Sequence, residues 1–322
     1  MAVYTQVSFD EASVLLQRLQ LGQLQSMEGC SGGIENTNYF VTTDSGAYVL
    51  TLFERLSAEQ LPFYLRLMKH LATAGIPVPE PASDTNGALM YTVNGKPATV
   101  VNRLRGKSEL APQPAHCASV GTWLAKMHLA GQGFDLYQPN LRGLNWWNST
   151  VPVILPFLDA AQQSLIQAEL AYQNHVAASS VYAALPHGAI HADLFRDNVM
   201  FAPLSNDGDS ALEMTGFFDF YFAGVDTWVF DLGVCLNDWC VDLSTGAPDP
   251  ARTQAFVGAY EAVRALTAAE RRALPAMLRA AALRFWISRL WDLHLPREAS
   301  VLTAHDPTHF ERVLRQRLRF AA

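Results

Sequence analysis

The chemistry in this chain is concentrated in one octet, His191-Ala192-Asp193-Leu194-Phe195-Arg196-Asp197-Asn198, and in a single carboxylate further on, Asp219 in Gly216-Phe217-Phe218-Asp219-Phe220-Tyr221. An aspartate can orient a hydroxyl group and accept its proton. An asparagine and a second aspartate can hold Mg²⁺ through oxygen while the ion bridges nucleotide phosphates. The set therefore predicts phosphoryl transfer from a nucleotide to an alcohol, with Asp193 as base and Asn198 and Asp219 as metal ligands. Asp219 strengthens this reading because it sits in an apolar run, Met214 to Phe222, that otherwise reads as a buried strand. A carboxylate among three phenylalanines is costly unless it is paired or metal-bound.

Protein-kinase catalytic loops have the same spacing from Asp to Asn, with a His two residues before the Asp and an Arg where this chain has Ala192. Other readings use the same residues. Asp and Asn favour turns because their side chains bond the local backbone, and a buried His often does no more than bond a carbonyl. A metal-dependent hydrolase built on His191, Asp193, Asp197 and Asp219 is a second chemistry. Zinc sites, however, draw on His and Cys, often at helical spacing such as HExxH, and no such motif is present.

Composition narrows the classes. The chain has 322 residues, half of them hydrophobic and 16% charged, which describes a globular protein long enough for two lobes. Its net charge of −7 argues against a nucleic-acid partner. Cys30, Cys117, Cys235 and Cys240 form neither a CxxC pair nor a zinc spacing, and read as reduced thiols in a cytoplasmic protein. No basic, then apolar leader opens the chain. No uncharged apolar run is long enough for a membrane span, so no membrane partner is expected.

The elements that must position the octet fall into two groups. Residues 8–21 read as an amphipathic helix opened by a capping box, Ser8 with Glu11. Residues 38–43 and 47–53 read as a hairpin. Residues 57–74 read as a helix capped by Ser57 and stopped by Gly75. Residues 88–93 and 98–102 read as a second hairpin around Asn94-Gly95, a strong type I′ signal. Beyond Gly106 helical patterns dominate, at 114–130, 154–184, 250–266, 268–295 and 308–318. The expected architecture is α+β: a small antiparallel-sheet N-terminal lobe over residues 1–101 and a larger, mainly helical lobe over 102–322. A nucleotide is expected between them. The glycine-rich stretch Gly29-Cys30-Ser31-Gly32-Gly33-Ile34-Glu35-Asn36-Thr37-Asn38 opens the first hairpin. Its glycines let backbone approach phosphates, although an ordinary turn would look the same.

These residues resemble the aminoglycoside phosphotransferase and choline kinase superfamily, whose fold is protein-kinase-like. Within it the chain is similar to the homoserine kinases. The resemblance runs through residues 35–41, 48–54, 75–79, 94–98, 127–130, 188–198, 219–224, 237–240 and 283–290, nearly the whole chain. It implies ATP and Mg²⁺ as cofactors and L-homoserine as acceptor, in threonine biosynthesis. It also implies Asp193 as catalytic base with His191 bracing the loop, Asn198 and Asp219 on the metal, and Gly32, Gly33, Asn36, Asn38, Thr51 and Asn102 around the nucleotide. One departure stands out: the superfamily places a phosphate-binding lysine where this chain has Thr51. Arg55 or Lys69 is then expected to supply the missing charge, unless both are solvated. For the acceptor, Arg284 or Arg289 suits a carboxylate and Asp238 an ammonium. The same groups could instead form internal ion pairs, for instance Arg289 with Asp231 or Asp292. Trp146 and Trp147 either wall the acceptor pocket or fill core.

Overall fold

The structure, a computed structural model, describes residues 4–30, 36–204, 212–295 and 305–319. It divides into two compact units, Met1–Arg105 and Gly106–Ala322. A boundary at 101/102 would cut the last strand of the first unit before its final residue, Asn102.

In the first unit α1 (Phe9–Arg18) precedes the strands β1 (Leu24–Gly29), β2 (Asn36–Thr43) and β3 (Ala47–Phe53). Helix α2 (Leu61–Thr73) and the hairpin β4 (Tyr91–Val93) and β5 (Lys96–Asn102) follow. The five strands form one antiparallel sheet in the order β1-β2-β3-β5-β4. Leu15, Leu16 and Leu19 from α1 and its end pack on Tyr39, Val41, Leu50, Leu52 and Val100 of the sheet. Local signals act where they are written. The Ser8 hydroxyl caps the Glu11 N–H while the Glu11 carboxylate accepts from the Ser8 N–H at 2.8 Å. Asn94 and Gly95 take φ of 49° and 75°, as a type I′ turn requires. Gly75, at φ 80°, closes α2 with bonds from its own N–H to Ala72 and from Ile76 to Leu71.

Two expectations here need correction. Helix α2 begins at Leu61, not after Ser57, because Pro62 belongs in a first turn; the Ser57 N–H instead donates to the Gln60 side chain at 3.0 Å. Strand β1 was not foreseen: its sequence, Leu-Gln-Ser-Met-Glu-Gly, lacks alternation because it forms an edge of the sheet.

The second unit runs α3 (Pro114–Ala130), α4 (Leu144–Ile154), α5 (Ala160–Ala177), α6 (Ser180–Ala183), β6 (His187–Ile190), β7 (Val199–Pro203), β8 (Leu212–Phe217) and β9 (Gly224–Thr227). It continues with α7 (Trp228–Trp239), α8 (Pro250–Val263), α9 (Ala268–His294) and α10 (Thr308–Arg319). Strand β6 pairs with β9 and β7 with β8, both antiparallel. The helical stretch read over 154–184 is divided into separate elements. Pro156 lies in a 3₁₀ turn, and Asp159 opens α5 with its own capping box to Gln162. Helix α7 escaped the sequence reading because every one of its residues is buried, leaving no amphipathic stripe to detect. No helix among the described residues is long and apolar enough to cross a membrane.

Two glycines let these helices approach one another. A Cβ on Gly121 of α3 would lie 2.3 Å from the Phe256 carbonyl oxygen of α8, and one on Gly233 of α7 would lie 2.9 Å from the Met277 carbonyl oxygen of α9. Gly121→Ala is expected to destabilise the protein by about 1–3 kcal/mol, overriding the helix preference for alanine. Gly258→Ala in α8, where a Cβ meets nothing within 4 Å, serves as control and should leave stability unchanged or raised. Thermal melting of both variants checks this; equal melting temperatures would contradict the packing argument.

Candidate active site

The octet leaves β6 and is held from behind by one carboxylate. Asp231, in the first turn of α7 and 0% exposed, accepts from the backbone N–H groups of His191 at 2.9 Å and Ala192 at 2.8 Å. Those bonds hold Ala192 at φ 63°, a left-handed conformation that costs a non-glycine residue about 1–3 kcal/mol. Asp231 also accepts from His128 Nε2 at 3.0 Å, and His128 Nδ1 accepts from the Tyr260 hydroxyl at 2.8 Å. Burial lowers the His128 pKa, so the ring is neutral with its proton on Nε2. Burial alone would raise Asp231, but the bonds from His128 and the loop outweigh it and hold the carboxyl below the usual range. The pair is thus an ionised aspartate with a neutral histidine donor.

His191 links the octet to the second carboxylate. Its Nε2 donates to the Phe218 carbonyl at 3.0 Å and its Nδ1 accepts from the Asp193 N–H at 3.3 Å. Burial takes its pKa down to about 4. With both ring nitrogens engaged by backbone, His191 is neither a base nor a metal ligand, which removes it from the hydrolase reading and from the catalytic step itself. Among the described residues, no three or more His, Cys, Asp or Glu are placed to hold a metal.

The Asn198 amide nitrogen donates to the Asp193 carbonyl at 2.8 Å, and the Phe218 N–H donates to the Asn198 carbonyl at 3.0 Å. Asp193, Asn198 and Asp219 are thereby gathered by a short relay of backbone bonds. Asp219 is not inside a strand as expected. Strand β8 ends at Phe217, and Asp219 sits at φ 69°, ψ 62°, opening a 3₁₀ turn. Asp193 is half-buried, and its pKa is raised well above the usual value. Burial is the main cause; Asp219, Asp197 and Asp238 add to it, and Arg284 opposes it.

The expected acceptor residues separate. Asp238, 7% exposed, accepts from the Arg196 N–H at 2.8 Å and from Arg196 Nε at 3.1 Å. Arg196 also donates to the carbonyls of Leu110 and Asp238. Asp238 is thus a loop brace rather than an open contact for an ammonium group. Arg289 donates to the Asp306 carbonyl at 2.9 Å and lies 4.5 Å from the Phe310 ring centroid, so neither ion pair expected for it forms the main contact. Arg284, 3% exposed, has no hydrogen-bond partner for Nε or Nη2 among the described residues. Trp147 is core, whereas Trp146 carries the Arg142 guanidinium 4.5 Å from its ring centroid.

In the first unit, Gly32 and Gly33 lie outside the described residues. Asn38 and Thr51 face one another across β2 and β3, and the Thr51 hydroxyl donates to Asn38 Oδ1 at 2.7 Å. Asn36 opens β2 opposite Phe53. The Asn102 side chain accepts from the Glu80 N–H at 2.6 Å. Strand β3 ends at Phe53, so Arg55 does not share a strand face with Thr51, and Lys69 is paired with Glu80 at 2.6 Å. Sequence reasoning placed Asp231 among possible helix caps or loop braces, but missed the work of His128 and Arg196. The available signal was an acid or a base in a wholly apolar stretch, which must find a partner.

Comparison with known proteins identifies the family and the fold. The family profile described as "Phosphotransferase enzyme family" matches residues 26–266. A homoserine kinase of Polaromonas naphthalenivorans is 65% identical, over 99% of this chain and 98% of that protein. One from Ralstonia nicotianae is 56% identical over 99% and 96%. Among solved structures, an amicoumacin kinase in complex with AMP-PNP and Ca²⁺ superposes with a TM-score of 0.68 at 16% identity, covering 97% of this chain and 93% of that one. A Plasmodium vivax ethanolamine kinase gives 0.62 at 12%, covering 98% and 87%. At such identities these structures speak for the fold, which is that of aminoglycoside phosphotransferases and choline kinases.

Asp231→Asn tests the brace. An amide cannot accept from all three donors without turning its own N–H₂ toward one of them, so a loss of about 1–3 kcal/mol is expected. It should appear as a lower urea midpoint at unchanged m-value. An unshifted midpoint would refute the role given to Asp231.

Proposed function

Because the chain belongs to the phosphotransferase enzyme family and aligns end to end with homoserine kinases, we propose that it transfers the γ-phosphoryl group of ATP to the side-chain hydroxyl of L-homoserine, giving ADP and O-phospho-L-homoserine for threonine biosynthesis. The observation that supports the reading is the relay His191–Phe218–Asn198–Asp193, which ties together the segments carrying Asp193, Asn198 and Asp219, one candidate base and two candidate hard oxygen ligands.

Asp193 orients the acceptor hydroxyl and takes its proton as the oxygen attacks phosphorus. Asn198 uses its amide nitrogen on the Asp193 carbonyl, which leaves its carbonyl end as the ligand. This donor set fits Mg²⁺, which prefers oxygen and takes few protein ligands when phosphates complete its shell. The Asn198 side-chain oxygen and the Asp219 carboxylate would hold one Mg²⁺ ion, which when bound would neutralise charge at the transferring phosphoryl group. Asp231 and Asp238 hold the loop from the α7 side, so positioning is set before substrate arrives. In the first unit, we assign nucleotide contact to Asn36, Asn38, Thr51 and the backbone near Asn102. With Thr51 in place of a lysine, the phosphate contact there is a hydroxyl without charge.

A kinase for choline or an aminoglycoside would use the same three residues. The buried Arg284, whose charge acts on Asp193, disfavours a cationic acceptor. ADP release measured with L-homoserine, L-serine, choline and methylthioribose should be fastest with homoserine; preference for choline would overturn the assignment. Asp193→Asn should lower turnover by about 10²–10⁴-fold while ATP still binds. Undiminished turnover in that variant would remove Asp193 from the mechanism.

A further inference from the structure

Arg284 lies on α9, buried, with its guanidinium carbon 3.7 Å from the Phe285 ring centroid and 4.9 Å from that of Phe222. Its neighbours differ from those of other buried or half-buried arginines of this unit. Arg196 is bonded to Asp238, Arg279 to Glu169 and Arg317 to Asn237, whereas Arg284 has no partner for Nε or Nη2 among the described residues. A buried guanidinium without an anion is costly, because the solvation it lost is not replaced. The two orphaned atoms are also the two donors of one edge of the guanidinium, whose N–H bonds run parallel and match the two oxygens of a carboxylate. Phe222 and Phe285 hold that plane by stacking, so little side-chain freedom would be lost on binding.

Phe285 packs on Phe195 of the octet, their ring centroids 4.4 Å apart, and Phe222 lies three residues beyond Asp219, so Arg284 sits beside the loop that carries the base. The charges agree with this placement: Asp193 is the foremost that favours the cationic form of Arg284, and Arg284 is the foremost that opposes the rise in the Asp193 pKa. Arg142 adds positive charge on the same ring, its guanidinium carbon 5.9 Å from the Phe222 centroid.

We infer that Arg284, through Nε and Nη2, is the carboxylate anchor of the acceptor site and selects alcohols that carry a carboxylate. This rests on the homoserine reading and deepens it: the anchor places the distal hydroxyl of the amino acid at Asp193, and an amino alcohol lacking the acid group leaves the fork unmatched. A site built for such a pair rejects analogues that lack it far more strongly than a hydrophobic pocket does.

The test compares L-homoserine, its amide and 3-aminopropan-1-ol as acceptors at saturating ATP and Mg²⁺, in the wild type and in Arg284→Met and Arg284→Lys. The wild type should prefer homoserine over the other two by about 100-fold or more in kcat/KM. Arg284→Met should lose that preference, chiefly through kcat/KM for homoserine, with the KM for ATP unchanged. Arg284→Lys, a charge without a fork, should fall between. A preference that survives in Arg284→Met, or an equal loss for all three acceptors, overturns the anchor and leaves Arg284 as packing or as a contact of the phosphoryl group. Should Arg284→Met fail to fold, the wild-type ratio of acid to amide decides, and a ratio near unity overturns the anchor. A wild type that phosphorylates none of the three sinks the homoserine reading itself, whereas one that phosphorylates all three equally sinks only the anchor.

Discussion

The second unit is organised around a buried negative charge. Asp231 has no access to water, so its ionised carboxyl must be satisfied by donors from the protein. It recruits three: two successive N–H groups of the loop after β6 and the ring of His128 on α3. The arrangement makes helix, loop and neighbouring helix mutually dependent. The loop cannot relax Ala192 out of its left-handed conformation without orphaning the charge, and the charge cannot be moved without freeing the loop.

From that anchor, order passes to the chemistry through backbone groups. His191 touches Phe218, Phe218 touches Asn198, and Asn198 touches the carbonyl of Asp193. Of these bonds only that of Asn198 uses a side chain proposed for the site, and it takes the amide nitrogen, leaving the side-chain oxygen of Asn198 outside the relay. Positioning of this kind precedes binding, as preorganised catalysis requires. A second brace, Arg196 on Asp238, secures the far end of the same loop against α7.

The charges that remain define what the site would accept. Burial works against an ionised Asp193, and Asp219, Asp197 and Asp238 add to that effect. Arg284 is the counterweight, a buried positive group that finds no hydrogen-bond partner for Nε or Nη2 among the described residues. An acceptor bearing a carboxylate at one end and a hydroxyl at the other completes both halves of this balance.

Features written in consecutive residues were legible without coordinates. The Ser8 and Glu11 cap, the Asn94-Gly95 turn, the Gly75 stop and the helix Pro114–Ala130 follow from local backbone preferences, which act over a few residues wherever the chain goes. The octet with Asp219 identified the chemistry for a similar reason, since residue type and spacing state which atoms a short loop can present. What required the tertiary structure was every pairing between distant charges. Which arginine would be matched by Asp238, which acid would hold the loop, and which guanidinium would be left open depend on how helices from separate parts of the chain meet. Helix α7 hid itself by being buried on all sides, and β1 by lying at a polar edge. Local preference is a property of short segments, but the partner of a buried charge is a property of the packed whole, because only packing decides which donor the excluded water is replaced by.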